Sequence, residues 1–126
     1  MSENGSEGAI RIADDVVAVI AGLAATKTNG VASMSGGITE GWAKRVGGKN
    51  VTRGVSVEVG QVETAIDLRV IVEYGVKIHE ICRELQENVK EAVETMTGLS
   101  VVEVNIKVEG VDFKEEQGGD LERVVK

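Results

Sequence analysis

Residues 55–75 read VSVEVGQVETAIDLRVIVEYG, and they predict the centre of a β-sheet. Aliphatic and polar residues alternate over residues 55–59 and again over residues 62–72, and Gly60-Gln61 lie between the two runs. Alternation of this kind is typical of strands with one buried and one solvated face. A glycine-containing break between two such runs is typical of a turn. The stretch therefore predicts a long β-hairpin with one apolar face.

The residues that follow, 77–98, repeat their apolar side chains with the period of a helix. They read KIHEICRELQENVKEAVETMTG, and Gly98 is a typical residue at which a helix ends. The apolar stripe consists of Ile78, Ile81, Cys82, Leu85, Val89, Ala92, Val93 and Met96. The opposite ridge consists of Glu80, Glu84, Glu87, Glu91 and Glu94. With Arg83 between its members, this ridge indicates a solvated face rather than a pair of acid/base carboxylates.

Residues 99–113, LSVVEVNIKVEGVDF, predict a closing strand. Its predicted inward residues are Val102, Val104, Ile106 and Val108. If this strand pairs with the second strand of the hairpin, Asp67 and Arg69 become neighbours of Asn105 and Lys107 on the open sheet face. We interpret these four side chains as a cross-strand polar ladder.

Two shorter strands are predicted before the hairpin. GAIRI at residues 8–12 predicts one, with Ile10 and Ile12 on the same face, and VASM at residues 31–34 predicts the other. With the helices, the element order becomes β-α-β-loop-β-β-α-β. Long strands with one apolar face need one covering layer, and two helices can supply it.

The segment between the two short strands, ADDVVAVIAGLAATKTNG at residues 13–30, has the marks of a helix. Asp14 and Asp15 lie in its first turn, where the helix dipole favours acidic side chains, and Asn29-Gly30 end it. The residues that leave it almost without a polar face are Ala18, Val19 and Ala25. A helix that is apolar all round is usually covered on two sides. We expect another subunit to provide the second cover, which makes these three the predicted self-association residues of a homo-oligomer.

The predicted fold class is α/β, a two-layer sandwich whose mixed β-sheet has one wet face and two main helices on the other. A chain of 126 residues is one domain by size. We expect a flexible lead at residues 1–7, a single domain at residues 8–113 and a charged mobile tail at residues 114–126.

Residues 38–54 are the basic exception in an acidic chain. They carry a net charge of +3, whereas the whole chain carries −7. The predicted partner-binding residues of this segment are Trp42, Lys44, Arg45, Lys49 and Arg53. The charge of the remainder repels nucleic acid and anionic lipid, so any such binding would have to be local. We interpret the segment as a loop or a contact surface for another protein.

The basic segment is also compatible with a site for a small anion or with weak RNA binding, but it lacks the usual motifs of both. A phosphate-binding loop of the form GxxxxGK[ST] is absent, because its nearest frame ends at GGKN and does not run from a strand into a helix. The GxxG motif of a KH domain occurs only as GSEG in the lead, and the sheet lacks the aromatic pair of an RRM. A site for a small anion or metabolite is the first alternative to a protein contact surface, and weak RNA binding is the second. The main prediction includes no nucleic acid among the partners.

Cys82 is the single cysteine and His79 the single histidine, three residues apart on the long helix. Cys82 falls in the apolar stripe, so an inert buried thiol is favoured over a nucleophile. Two such residues are too few for a zinc site. No catalytic, metal or cofactor residues are predicted. The lone cysteine, the lack of a signal peptide and the short apolar runs predict a soluble cytoplasmic protein without direct membrane insertion.

Five segments together resemble a known family. They are GAIRIADDVVAVIAGLAATKTNGVASM, GVSVEV, IDLRVIVEYG, LQENVKEAVETMTGL and VVEVNIKVEGVDF, in this order over residues 8–113. The chain resembles the alkaline shock protein family, the envelope stress response proteins of Gram-positive bacteria. The resemblance implies a non-catalytic cytoplasmic protein that supports cell-envelope homeostasis and self-associates. It also implies that an integral membrane protein can hold the chain at the inner membrane face.

The expected function is therefore a protein-interaction module, a scaffold rather than an enzyme, in envelope maintenance or stress response. The expected partners are other proteins, including further copies of the chain.

Overall fold

A computed structural model describes residues 8–35 and 54–113. Its helices are α1 (Asp14–Thr26) and α2 (Ile78–Thr97), and its strands are β1 (Val31–Met34), β2 (Val55–Val59), β3 (Glu63–Glu73) and β4 (Ser100–Asp112). The hairpin predicted from the alternation is the pair of β2 and β3, with its turn at residues 60–62. That prediction is confirmed.

Strand β3 is the centre of the sheet. β4 pairs with it in parallel along one side, whereas β1 and β2 both pair with it antiparallel. Val72, Ile71 and Val70 of β3 pair with β1, and residues 64–68 pair with β2. Because the two sets of partners follow one another along β3, β1 and β2 lie end to end on the same side of it. Within the part of the chain that the structure describes, the sheet is therefore three strands wide, with β4 at one edge.

The two helices cover one face of this sheet. The core contains four alternate residues of β3, namely Ile66, Leu68, Val70 and Val72, and residues of both helices, among them Val17, Ala21, Leu85, Val89 and Val93. On the opposite face of β3, the charged side chains of Asp67, Arg69 and Glu73 are exposed. This is the predicted two-layer α/β sandwich with a mixed sheet and one wet face, and the fold-class prediction is confirmed.

The strand predicted at residues 8–12 is wrong. Residues 8–13 form neither helix nor strand, and Ile10 is 90% exposed. Both sides of the central strand β3 are occupied by β4 and by the β1–β2 pair, and residues 8–12 do not pair with the outer edge of any described strand. Of residues 8–12, only Ile12 packs against the core.

The inward position predicted for Val102 is also wrong. Thr64 pairs with Val101 and the next residue of β3, Ala65, pairs with Glu103. Val102 is therefore an extra residue in β4, a β-bulge, and its side chain is 55% exposed. After the bulge the alternation resumes, and the inward positions of Val104, Ile106 and Val108 are confirmed because all three pack against the core.

Candidate functional site

The five residues predicted to bind a partner, Trp42, Lys44, Arg45, Lys49 and Arg53, lie outside the described residues. The structure does describe both ends of the segment that contains them. The main-chain N–H of Ser35 donates to the carbonyl of Arg69 at 2.8 Å, and the N–H of Arg69 donates to the carbonyl of Gly54 at 2.8 Å. Arg69 thus bonds to both ends, so residues 36–53 begin and end beside one residue of β3.

The three residues predicted to support self-association are placed on α1. Ala25 has no exposed surface and Ala18 is 8% exposed, whereas Val19 is half-buried. Helix α1 contacts α2, β1 and β2 of its own chain. The side chains of Ala18 and Ala25 are therefore already covered within the chain. Self-association itself stays a prediction.

A solvent-open apolar groove runs between the two helices. It has a volume of about 590 Å³, and its lining includes Val19, Ile20, Leu23, Ala24, Ala92 and Met96. Leu23 is 43% exposed and Met96 is 71% exposed. Met96 belongs to the apolar stripe that periodicity predicts for the long helix, but the structure leaves it on the open margin of that stripe.

Polar groups stand at the margins of this groove. Lys27 comes from α1's C-terminal end and Glu91 from α2, and both contribute to the lining. Asn88 also lines it and donates from Nδ2 to Thr28 Oγ1 at 3.0 Å, which ties α2 to the turn after α1. The groove therefore combines an apolar floor with one basic and one acidic margin.

The open face of the sheet carries the predicted polar ladder. Asp67 pairs with Asn105 and Arg69 with Lys107 across β3 and β4, which confirms the predicted neighbours. Asn105 Nδ2 donates to Asp67 Oδ1 at 2.9 Å. Exposed contacts of this kind contribute little to stability and form no enclosed site.

The acidic ridge of α2 is confirmed for Glu80, Glu84, Glu87 and Glu91, which are exposed. Glu94 departs from it. Its Oε2 accepts a hydrogen bond from the N–H of Val101 at 2.9 Å and lies 3.6 Å from Lys90 Nζ. Glu94 therefore connects α2 to the beginning of β4.

Cys82 is half-buried rather than fully buried, and His79 is exposed. Burial raises the pKa of the Cys82 thiol, because the charged thiolate loses solvation. Among the residues that the structure describes, no group of three or more His, Cys, Asp and Glu side chains could hold a metal ion.

We expect Cys82 to react with iodoacetamide several-fold more slowly in the folded chain at pH 8 than in the same chain unfolded in urea. The raised pKa lowers the thiolate fraction, and the thiolate is the reacting species. A matched control is Ser56→Cys in a Cys82→Ser background, since Ser56 is exposed on β2. Equal rates for Cys82 in the folded and unfolded chains would contradict the prediction.

No helix within residues 8–35 and 54–113 is long and apolar enough to cross a membrane. The described residues form a two-layer domain with an open groove between the helices and a polar sheet face.

Comparison with known proteins identifies the family. Residues 2–113 match the model of the alkaline shock protein family, which is described as having a cell envelope-related function. The chain therefore belongs to the alkaline shock protein family, as its sequence motifs predicted.

Three relatives illustrate the similarity. The chain is 38% identical over 106 residues to the uncharacterized protein YqhY of Bacillus subtilis, covering 84% of this chain and 78% of that protein. It is 36% identical over 118 residues to a stress response regulator gls24 homolog of Streptococcus pyogenes, covering 93% of this chain but only 65% of that protein. It is 32% identical over 110 residues to the uncharacterized protein Spy1614 of Streptococcus pyogenes, covering 86% and 91% of the two chains. No solved structure matches the chain.

Proposed function

We propose that this chain is a non-catalytic protein-interaction module that supports the cell envelope under stress and that it self-associates. The family has a cell envelope-related function, and one relative is named a stress response regulator gls24 homolog. The proposed location is the cytoplasmic face of the membrane, where an integral membrane protein holds the chain.

The observation that carries the proposal is the apolar groove between α1 and α2. Large apolar side chains that remain exposed together on a domain of this size mark contact surfaces. A groove between two helices accepts the apolar face of an amphipathic helix, whose side chains at i, i+3, i+4 and i+7 fit along it. Lys27 and Glu91 then meet charges of opposite sign on the margins of that helix. The proposed ligand of the groove is such a helix from an envelope protein.

Site-specific photo-crosslinking in the native cell tests this proposal. A photoreactive residue at Met96 should crosslink to one defined protein, and mass spectrometry should map the contact to an amphipathic helix. The same residue at Ser56, exposed on the opposite layer, is the matched control and should not give that product. Leu23→Glu should abolish the Met96 product because it places a charge inside the groove.

Identical products from Met96 and Ser56, or a Met96 product that Leu23→Glu leaves unchanged, would contradict the proposal. Circular dichroism of Leu23→Glu separates loss of the groove from loss of the fold, since Leu23 is 43% exposed.

A further inference from the structure

Among the described residues, no strand pairs with the side of β4 that faces away from β3, so this side is the edge of the described sheet. Two hydrogen bonds show which main-chain groups face it. The N–H of Val101 donates to the carboxylate of Glu94, and the carbonyl of Val104 accepts from Gln86 Nε2 at 3.0 Å. Both side chains come from α2, so both main-chain groups point away from β3.

The directions of the other main-chain groups of β4 follow from the alternation along a strand. The N–H of Ser100 donates to Val62 and the carbonyl of Asp112 accepts from Tyr74, so these residues face the β3 side. Main-chain groups of successive strand residues point to opposite sides, and each bulge shifts the alternation by one residue. With one bulge at Val102 and another at Glu109, this alternation connects Ser100 at one end of β4 to Asp112 at the other, both of which face β3. Val104, Ile106 and Val108 therefore direct their main-chain groups to the open side.

Most of these groups have no partner among the described residues. The Val104 carbonyl is bonded to Gln86, but no bond is present for the N–H of Val104 or for either group of Ile106. A row of unpaired N–H and C=O groups is a template for a further strand. The regular part of this row lies between the two bulges, at residues 103–108.

The charged side chains of this regular part are complementary to those of a second, antiparallel copy of the same strand. Glu103 and Lys107 stand on the solvated face on either side of Asn105, and Lys107 is 74% exposed. If a second β4 runs antiparallel with Asn105 opposite Asn105, each Glu103 lies opposite a Lys107 of the other copy. Opposite charges directly across two strands are stabilising, and like charges are destabilising.

We propose that β4 pairs with β4 of a second copy, antiparallel and centred on Asn105, so that two three-strand sheets join into one. This inference rests on the proposed self-association and assigns it a surface. In this register Val104 of one copy and Ile106 of the other exchange their open N–H and C=O groups. The Val104 carbonyl has a second lone pair, so its bond to Gln86 can persist.

Any other antiparallel register loses the two Glu103–Lys107 pairs. Centring the pair on Ile106 places Glu103 opposite Glu109, and centring it on Lys107 places two lysines opposite each other. Among the described residues of one chain, Lys107 Nζ lies 3.8 Å from Glu109 Oε2, and Asn105 Nδ2 donates to Glu103 Oε2 at 3.3 Å. Charged residues and bulges commonly keep sheet edges apart, but here the charges select one register.

Disulfide crosslinking of the full chain tests the geometry. In a Cys82→Ser background, Asn105→Cys places two thiols opposite each other at a pair that shares no main-chain bonds. The Cα atoms of such a pair are about 4.5 Å apart, within the range of a disulfide. Oxidation with copper phenanthroline, the added oxidant, should convert most of the protein to covalent dimer. Ser56→Cys in the same background is the control and should give little.

Charge exchange tests the register. By sedimentation equilibrium, Lys107→Glu or Glu103→Lys alone should raise the dissociation constant at least tenfold, because each brings like charges together. The double variant Glu103→Lys/Lys107→Glu should return it to within threefold of the unchanged chain. Thermal melting of each variant checks that the fold is intact.

The outcomes separate this inference from the function it rests on. If the chain assembles but the charge-exchange variants keep the same dissociation constant and Asn105→Cys gives no crosslink, the β4 interface is wrong while self-association still holds. A chain that stays monomeric up to high micromolar concentration overturns both. In either case the Met96 crosslinking experiment still decides the groove independently.

Discussion

Gly54→Ala is expected to lower the free energy of unfolding by about 3 kcal/mol, from a left-handed backbone and a steric clash together. Gly54 has φ +75°. A Cβ atom there would lie 2.7 Å from the carbonyl oxygen of Arg69 and 2.8 Å from that of Ser35. Both obstacles are main-chain atoms, so no side chain can move aside. Urea denaturation followed by circular dichroism measures the loss.

Gly75→Ala is the matched control. Gly75 has φ +96°, but a Cβ atom there would meet no atom within 4 Å. Gly75→Ala should therefore lower the free energy of unfolding only by the cost of a left-handed backbone, about 1 kcal/mol. A loss at Gly54 no larger than that at Gly75 would show that Ser35 and Gly54 do not meet closely at Arg69.

The contact of Ser35, Gly54 and Arg69 explains how the sheet accommodates the basic segment. Strands β1 and β2 together form one side of the sheet, and the 18 residues at 36–53 are inserted where they meet. Since both ends are fixed to one residue of β3, the insertion does not interrupt the pairing on either side of it. This placement could not be predicted from the sequence, because it depends on non-local pairing with β3.

Elements with strong periodicity were predictable. The alternation at residues 62–72 indicated β3, and the helical stripe at residues 77–98 indicated α2, because burial of one face imposes a period on the residues. The Asp67–Asn105 neighbours followed once β4 was assumed to pair with β3.

The bulge at Val102 was not predictable for a specific reason. Val101 and Val102 are both aliphatic, so the sequence fits an inward residue at either position. In the structure Val101 is the inward residue, 6% exposed, and Val102 is the bulged residue, 55% exposed, and the N–H of Val101 donates to Glu94. Glu94 looked like part of a solvated ridge, and periodicity alone does not reveal a carboxylate that bonds a strand.

The apolar character of α1 was interpreted as a sign of a second subunit. Its second cover is α2, which packs beside it on the same face of the sheet. Periodicity shows how much of a helix is covered but not which element covers it. For the same reason periodicity assigns Met96 to the apolar stripe of α2, although its side chain lines the open groove between the helices.

Leu85→Ala is expected to lower the free energy of unfolding by about 3 kcal/mol, with a fall in the melting temperature of roughly 15 °C. Leu85 has no exposed surface and belongs to the core cluster that includes Val89 and Val93 of the same helix. Shortening it removes buried methyl groups and leaves a cavity between α2 and the sheet. Differential scanning calorimetry measures the shift.

Met96→Ala, at an exposed position on the same helix, is the matched control and should have little effect on stability. Met96 is 71% exposed, so its truncation should change the free energy of unfolding by less than about 0.5 kcal/mol. If Met96 serves the groove, this variant should lose affinity for the helix mapped by photo-crosslinking while its melting temperature stays the same. A large loss of stability at Met96, or a small one at Leu85, would mean that α2 packs on the sheet with a different face. The two substitutions together therefore separate the face of α2 that holds the fold from the face available to another protein.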